Sequence, residues 1–160
     1  MAAMDPLERL LAERACERLI IDFVHRLDLG EPGSVAELFT EDGVWEWPPP
    51  GGDGRRSEGR EALRAYFGSR PADRLSRRVM SNILVTVTSP DTATATSYFT
   101  TYRVDGHEGD AQGPVPPGPP VQVGQYEDEF RRSAEGTWLL AARRLRLPFG
   151  GPTPVRTGRS

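Results

Sequence analysis

Two periodicities, met in a fixed order along this 160-residue chain, predict an α+β domain in which a cone-shaped, sharply curved antiparallel sheet wraps around an N-terminal helix. The first is helical: Leu7, Leu10, Leu11, Ala15, Leu19, Ile20, Phe23, Val24 and Leu27 recur at spacings of three and four. The second is the two-residue period of strands, which takes over near Arg78 and persists to Leu147. The third observation is punctuation. Glycines and prolines gather at Pro48–Gly54, Gly113–Pro120 and Pro148–Pro154, where they exclude helix and central strand and so mark loops. Three small helices cannot cover both faces of a long sheet. A curved sheet closed around the first helix, with a pocket at its open end, is the economical packing.

The elements follow in order. Asp5-Pro6 supplies an N-cap and a first-turn proline for the first helix, and Gly30 a stop. Ser34 is placed to cap a short second helix carrying Val35, Leu38 and Phe39. Val44-Trp45-Glu46-Trp47 reads as a short strand ended by the prolines. A third helix is expected from about Arg60 to Phe67. Val79, Ser81, Ile83, Val85 and Val87 then alternate with Arg78, Met80, Asn82, Leu84 and Thr86. Ser89-Pro90-Asp91 turns the chain into Thr92–Val104, rich in Thr, Tyr and Phe. Val121–Arg132 is a further strand, Ala134-Glu135-Gly136 a tight turn, and Thr137–Leu147 the last strand. The expected organisation is a single domain over residues 1–150 with a flexible tail at 151–160, and a proline-rich flap at Asp105–Pro120.

Composition narrows the function. All 20 basic residues are arginine, set against 23 acidic ones for a formal charge of −3, and no dense basic block occurs. The footprint of a nucleic-acid binder is therefore missing. One cysteine, Cys16, excludes an internal disulfide and reads as a small buried hydrophobe. No apolar run has the length of a membrane span and no signal peptide is visible, so a cytoplasmic location and no membrane partner are expected. No nucleophile elbow, phosphate loop or dinucleotide fingerprint stands in a suitable context, so no cofactor is expected. The two histidines, His25 and His107, have no suitably spaced acid pair, so no metal is expected either. His25 falls opposite the apolar stripe of its helix, and His107 lies in a loop where it would be solvated.

Four segments, in this order and spacing, carry a resemblance: Phe23-Val24-His25-Arg26-Leu27-Asp28, Leu38-Phe39-Thr40-Glu41-Asp42-Gly43-Val44-Trp45, Arg77-Arg78-Val79-Met80-Ser81-Asn82 and Gly124-Gln125-Tyr126-Glu127-Asp128-Glu129-Phe130. Over about residues 7–147 the chain resembles the SnoaL-like branch of the NTF2-like superfamily, which includes polyketide cyclases, scytalone dehydratase and ketosteroid isomerase. The resemblance implies the curved-sheet cone and places Asp28 at the end of the first helix, pointing into it. A carboxylate in an apolar cavity can orient water or move a proton near neutral pH; the alternative is that Asp28 caps the turn around Gly30. In the resemblance the family's working histidine falls on Arg78 and a second falls near Phe99, in Ser97-Tyr98-Phe99-Thr100, which argues against a direct copy of the histidine chemistry. Arginine stays charged and is no ordinary base, but it can hold an oxyanion, bind a carboxylate or pair with Asp28.

Asn82, four residues on, is expected on the same strand face as Arg78 and able to donate to a substrate oxygen. The candidate catalytic set is thus Asp28, Arg78 and Asn82. Trp45, Tyr66, Phe99 and Tyr126 are the candidate substrate-binding aromatics. What the resemblance implies is a cofactor-independent enzyme, a lyase or isomerase of secondary metabolism that cyclises, dehydrates, isomerises or opens an epoxide. Its substrate would be a hydrophobic cyclic or polyketide- or terpenoid-like small molecule. The competing expectation is a non-catalytic ligand-binding or dimerisation module, favoured by the loss of both histidines. A homodimer is expected through an outer sheet face bearing Ile83, Val85 and Val87.

Overall fold

The computed structural model describes residues 3–49, 52–107, 114–116 and 118–149. The expected tail at 151–160 and residues 108–113 and 117 of the expected flap lie outside them.

Helix α1 (Pro6–Leu29) begins where Asp5 Oδ2 accepts the backbone N–H groups of Leu7 and Glu8 at 3.1 and 3.2 Å, and it ends at Gly30. Its buried stripe is Ala12, Cys16, Leu19, Ile20, Phe23, Val24 and Leu27. Leu7, Leu10 and Leu11 share the periodicity yet are about three-fifths exposed, so the first two turns stand clear of the core. The expected second helix is a 3₁₀ segment, Pro32–Leu38. Ser34 does not cap it. Pro32 opens the segment after Glu31, and the Ser34 hydroxyl donates to the Glu31 carbonyl at 2.6 Å. The strand expected at Val44 starts earlier, at the fully buried Phe39.

The remaining elements are β1 (Phe39–Trp47), β2 (Arg55–Glu58), α2 (Arg60–Gly68), β3 (Leu75–Ser89), β4 (Thr92–Val104), β5 (Gln122–Arg132) and β6 (Trp138–Arg146). The six strands form one curved, unclosed sheet in the order β2-β1-β6-β5-β4-β3. It is mixed rather than purely antiparallel as expected, because β1 and β6 run parallel. No hairpin joins these two strands, so nothing local dictates their relative direction. The meander β3-β4-β5-β6 is antiparallel throughout, as the sequence predicts. No helix is long and apolar enough to cross a membrane among the described residues.

The core sits between α1 and the concave face. Phe23 is its hub, edge-on to Phe67, Tyr126 and Phe39 at centroid distances of 5.5, 6.0 and 6.4 Å. Gly124 on β5 has no room for a side chain: a Cβ there would lie 2.7 Å from both the Arg146 carbonyl and the Phe99 ring. The missing side chain lets the Phe99 ring cross over β5 and stack on Tyr126 at 4.6 Å.

One irregularity reverses an expectation. Ser81 pairs with Tyr98 and Leu84 with Thr96, so two residues of β3, Asn82 and Ile83, oppose the single Ser97. Asn82 takes φ +51°, the left-handed conformation that Asn tolerates better than most residues. This bulge shifts side-chain parity by one. Before it, Ser76, Arg78 and Met80 face the helix; after it, Ile83, Val85 and Val87 do. The three residues expected on an outer dimer face are therefore turned into the core. Val79, Leu84, Tyr98 and Tyr102 stand exposed on the outer face instead.

Candidate functional site

A cavity of about 280 Å³ opens at one end of the cone. The last turns of α1 put Phe23 and Leu27 into its floor, beside Tyr126 of β5 and Leu145 of β6. Trp45 and Trp47 of β1 form one wall with Tyr66 and Phe67 of α2. Trp45 stacks on Tyr66 at 4.7 Å and 30°, a flat apolar surface of the kind that receives rings. Opposite stand arginines from the α2–β3 connection and from β3 and β4: Arg70, Arg74, Arg78 and Arg103.

Asp28 lies behind the arginine wall, its side chain only 3% exposed. Its Oδ1 accepts the Ser76 hydroxyl at 2.6 Å and Arg78 Nη1 at 2.5 Å; its Oδ2 accepts the Arg78 backbone N–H at 2.6 Å. Arg70 Nη2 lies 3.9 Å from Oδ1 and donates to the Ser76 hydroxyl. Two buried guanidinium groups thus converge on one carboxylate. Burial, and then the neighbouring charge of Arg78, push the Arg70 guanidinium down to about 10, and Asp28 only partly offsets this. At the rim, Arg74 and Arg103 share Asp105 at 2.8 and 3.1 Å. Arg55 pairs with Asp53 at 3.0 Å and places its guanidinium 5.5 Å from the centre of the Tyr66 ring.

Of the sequence-predicted residues, the structure brings Asp28 and Arg78 into direct contact and sets Trp45, Tyr66 and Tyr126 on the cavity. Phe99 is corrected to a core position. It is 1% exposed and backs Tyr126 from below without reaching the cavity. Asn82 is also corrected: the bulge it creates carries it to an exposed position, away from Arg78's face and from the cavity lining. His25 is exposed, as its place on the helical wheel predicts. His107 is not solvated as expected. It is half-buried, and its backbone N–H donates to the Asp73 carbonyl at 2.8 Å. Cys16 is fully buried, and burial together with the Asp128 charge pushes its thiol up to about 12. Among the described residues no group of three His, Cys, Asp or Glu side chains gathers as a metal site would.

The sequence reading missed the charged layer beneath the floor. Arg143, fully buried, makes a two-pronged ion pair with Asp128 at 2.7 and 2.8 Å. Its guanidinium lies against both the Phe23 and Tyr126 rings, 4.3 and 4.1 Å from their centres. The strand period did contain a signal, because Asp128 shares parity with Tyr126 and Phe130 and an inward acid requires an inward cation. Arg70 and Arg74 were also missed, although four of the nine residues from Arg70 to Arg78 are arginine.

A helix-filled, unclosed curved sheet with an aromatic and cationic cavity at its open end defines a cone-shaped α+β domain. The chain belongs to the SnoaL-like domain family, which matches residues 8–144. Among curated proteins no sequence matches the chain. A proposed scytalone dehydratase from Novosphingobium aromaticivorans is 25% identical, with a TM-score of 0.72 over 96% of this chain and 97% of that one. An NTF2-like protein with a cystatin-like fold from the same organism is 26% identical, with a TM-score of 0.71 over 89% of this chain and 86% of that one. ActVI-ORFA from Streptomyces coelicolor, 22% identical, shares the fold at a TM-score of 0.67, covering 87% of this chain and 97% of that one.

Proposed function

We propose that the cavity is the active site of a cofactor-independent enzyme that moves a proton on a hydrophobic, ring-shaped small molecule, as in cyclisation, dehydration, isomerisation or epoxide opening. The observation that carries this reading is a buried carboxylate, Asp28, one hydrogen bond behind a cavity-lining guanidinium, Arg78, in a chamber walled by stacked aromatics. Arg78 supplies a fixed positive charge for an oxygen that becomes negative during the reaction, the kind of stabilisation that dominates such chemistry. When the guanidinium moves onto that oxygen it uncovers Asp28 Oδ1, which accepts the proton leaving the substrate carbon and later returns it to the product; Arg70 keeps the carboxylate from being left alone. Trp45 and Tyr66 hold the ring. Asn82 has no part in this arrangement. The likeness to a proposed scytalone dehydratase supports a cofactor-free enzyme of this fold.

The test is exchange of the α-protons of 2-tetralone, an enolisable bicyclic ketone, for solvent deuterium, followed by NMR. Wild-type protein accelerates exchange, and Asp28→Asn lowers the rate by about 10²–10⁴ at a temperature where the variant is folded. Exchange at the buffer rate by wild-type protein that binds the ketone refutes the catalytic reading. A second reading, a non-catalytic ligand-binding module, is favoured by one observation: both Asp28 oxygens are already engaged by Ser76 and Arg78. We also propose that the chain dimerises through the outer sheet face carrying Val79, Leu84, Tyr98 and Tyr102.

A further inference from the structure

The cavity wall is more positive than its own carboxylates balance. Among the described residues five arginines line it, Arg55, Arg70, Arg74, Arg78 and Arg103. Three carboxylates answer them: Asp53 pairs with Arg55, Asp105 is divided between Arg74 and Arg103, and Asp28 is divided between Arg78 and Arg70. The inner imbalance is the more consequential. Arg70 and Arg78 are 9% and 15% exposed at their side chains, so water screens them poorly, and one carboxylate serves both. A second, nearly enclosed guanidinium beside a single carboxylate carries a desolvation cost that this carboxylate offsets only in part. A ligand anion would relieve that cost.

We propose that the substrate is a planar ring carboxylate, seated with its carboxylate on Arg70, which leaves Arg78 to the oxygen that becomes negative, and with its ring along the Trp45–Tyr66 wall. The proposal rests on the reading that this cavity is the ligand site, and it names the class of ligand. Several features choose a carboxylate over a neutral ring. The inner pair of arginines lacks one negative charge, which is what a carboxylate brings. Guanidinium groups present paired N–H donors at carboxylate spacing. The rest of the chamber is aromatic, which suits the body of such a molecule and not a small hydrated ion. Arg74 and Arg103 at the rim, with one carboxylate between them, extend an attractive field to the entrance.

The experiment is isothermal titration calorimetry of the wild-type protein with 2-naphthoate and with 2-naphthamide, which has nearly the same shape and no charge. The naphthoate is expected to bind at least about tenfold tighter. Arg70→Gln is expected to abolish that preference while leaving naphthamide binding within about twofold, because Asp28 keeps Arg78 as its partner. Equal affinity for the two compounds in wild-type protein overturns the proposal, as does binding of neither. A preference that survives Arg70→Gln unchanged also overturns it. The wild-type comparison needs no variant, so it decides the matter even if Arg70→Gln folds poorly. 2-Tetralone carries no charge, so its deuterium exchange judges the catalytic reading separately: exchange without a naphthoate preference sinks this proposal alone.

Discussion

Replacing Asp28 by Asn keeps the shape of the side chain and removes its charge, and the structure sets the cost. The carboxylate is 3% exposed and accepts from three donors, the Ser76 hydroxyl, the Arg78 backbone N–H and the Arg78 guanidinium, at 2.5–2.6 Å. An amide presents one oxygen and one NH₂, so wherever it points, its nitrogen meets a group that also donates. The variant also leaves Arg70 and Arg78 buried with no anion between them. Breaking a buried ion pair from one side costs about 3–5 kcal/mol, and in a domain of this size each kcal/mol lowers Tm by about 2–4 °C. Asp28→Asn should therefore lower Tm by about 6–20 °C. The assay is thermal unfolding by far-UV circular dichroism, backed by urea titration with tryptophan fluorescence. A double-mutant cycle with Arg78→Gln should read a coupling of about 2 kcal/mol or more between the two side chains. If Asp28→Asn costs less than about 1 kcal/mol, the carboxylate is not held as described, and the argument from its burial fails.

Arg70→Gln should act in the opposite sense on the free protein. The Arg70 guanidinium is held at about 10, below its ordinary value, so its burial opposes folding at neutral pH and ceases to do so only as pH rises through about 10 towards its unfolded value. Removing it should raise Tm by a few degrees at pH 7; a fall of more than about 4 °C would show that the second arginine stabilises the fold. Asn82→Ala should cost about 1–2 kcal/mol in urea unfolding, because alanine fits φ +51° poorly, and should leave naphthoate affinity unchanged; a weakened affinity would return Asn82 to the site. Leu84→Glu, on the outer face and 65% exposed, should convert a dimer into monomer in sedimentation velocity without lowering monomer stability. Wild-type protein that is monomeric at micromolar concentration contradicts the dimer outright.

Some features of this chain were legible because their causes lie within a few residues of one another. Asp5, Pro6 and Gly30 bound the first helix through hydrogen bonds and backbone angles that neighbours settle, and Thr92–Val104 is a strand because its own side chains favour the pleated conformation. Asp28 was legible through the resemblance alone, which matches it to the acidic residue that the family places at the end of the first helix. Features decided by distant partners were not legible. The four polar residues of β2 become a strand only because β1 offers an edge. The parallel pairing of β1 with β6 joins segments about a hundred residues apart with no turn to announce it. Above all, the parity of β3 depends on one unpaired step at Asn82, which moved Ile83, Val85 and Val87 into the core and Asn82 out of the site. The arginines of the cavity are individually ordinary in a chain whose basic residues are all arginine. Only the folding of the α2–β3 connection, β3 and β4 against α1 puts Arg70, Arg78 and Arg103 around one chamber, because electrostatic imbalance belongs to positions in space and has no period in sequence.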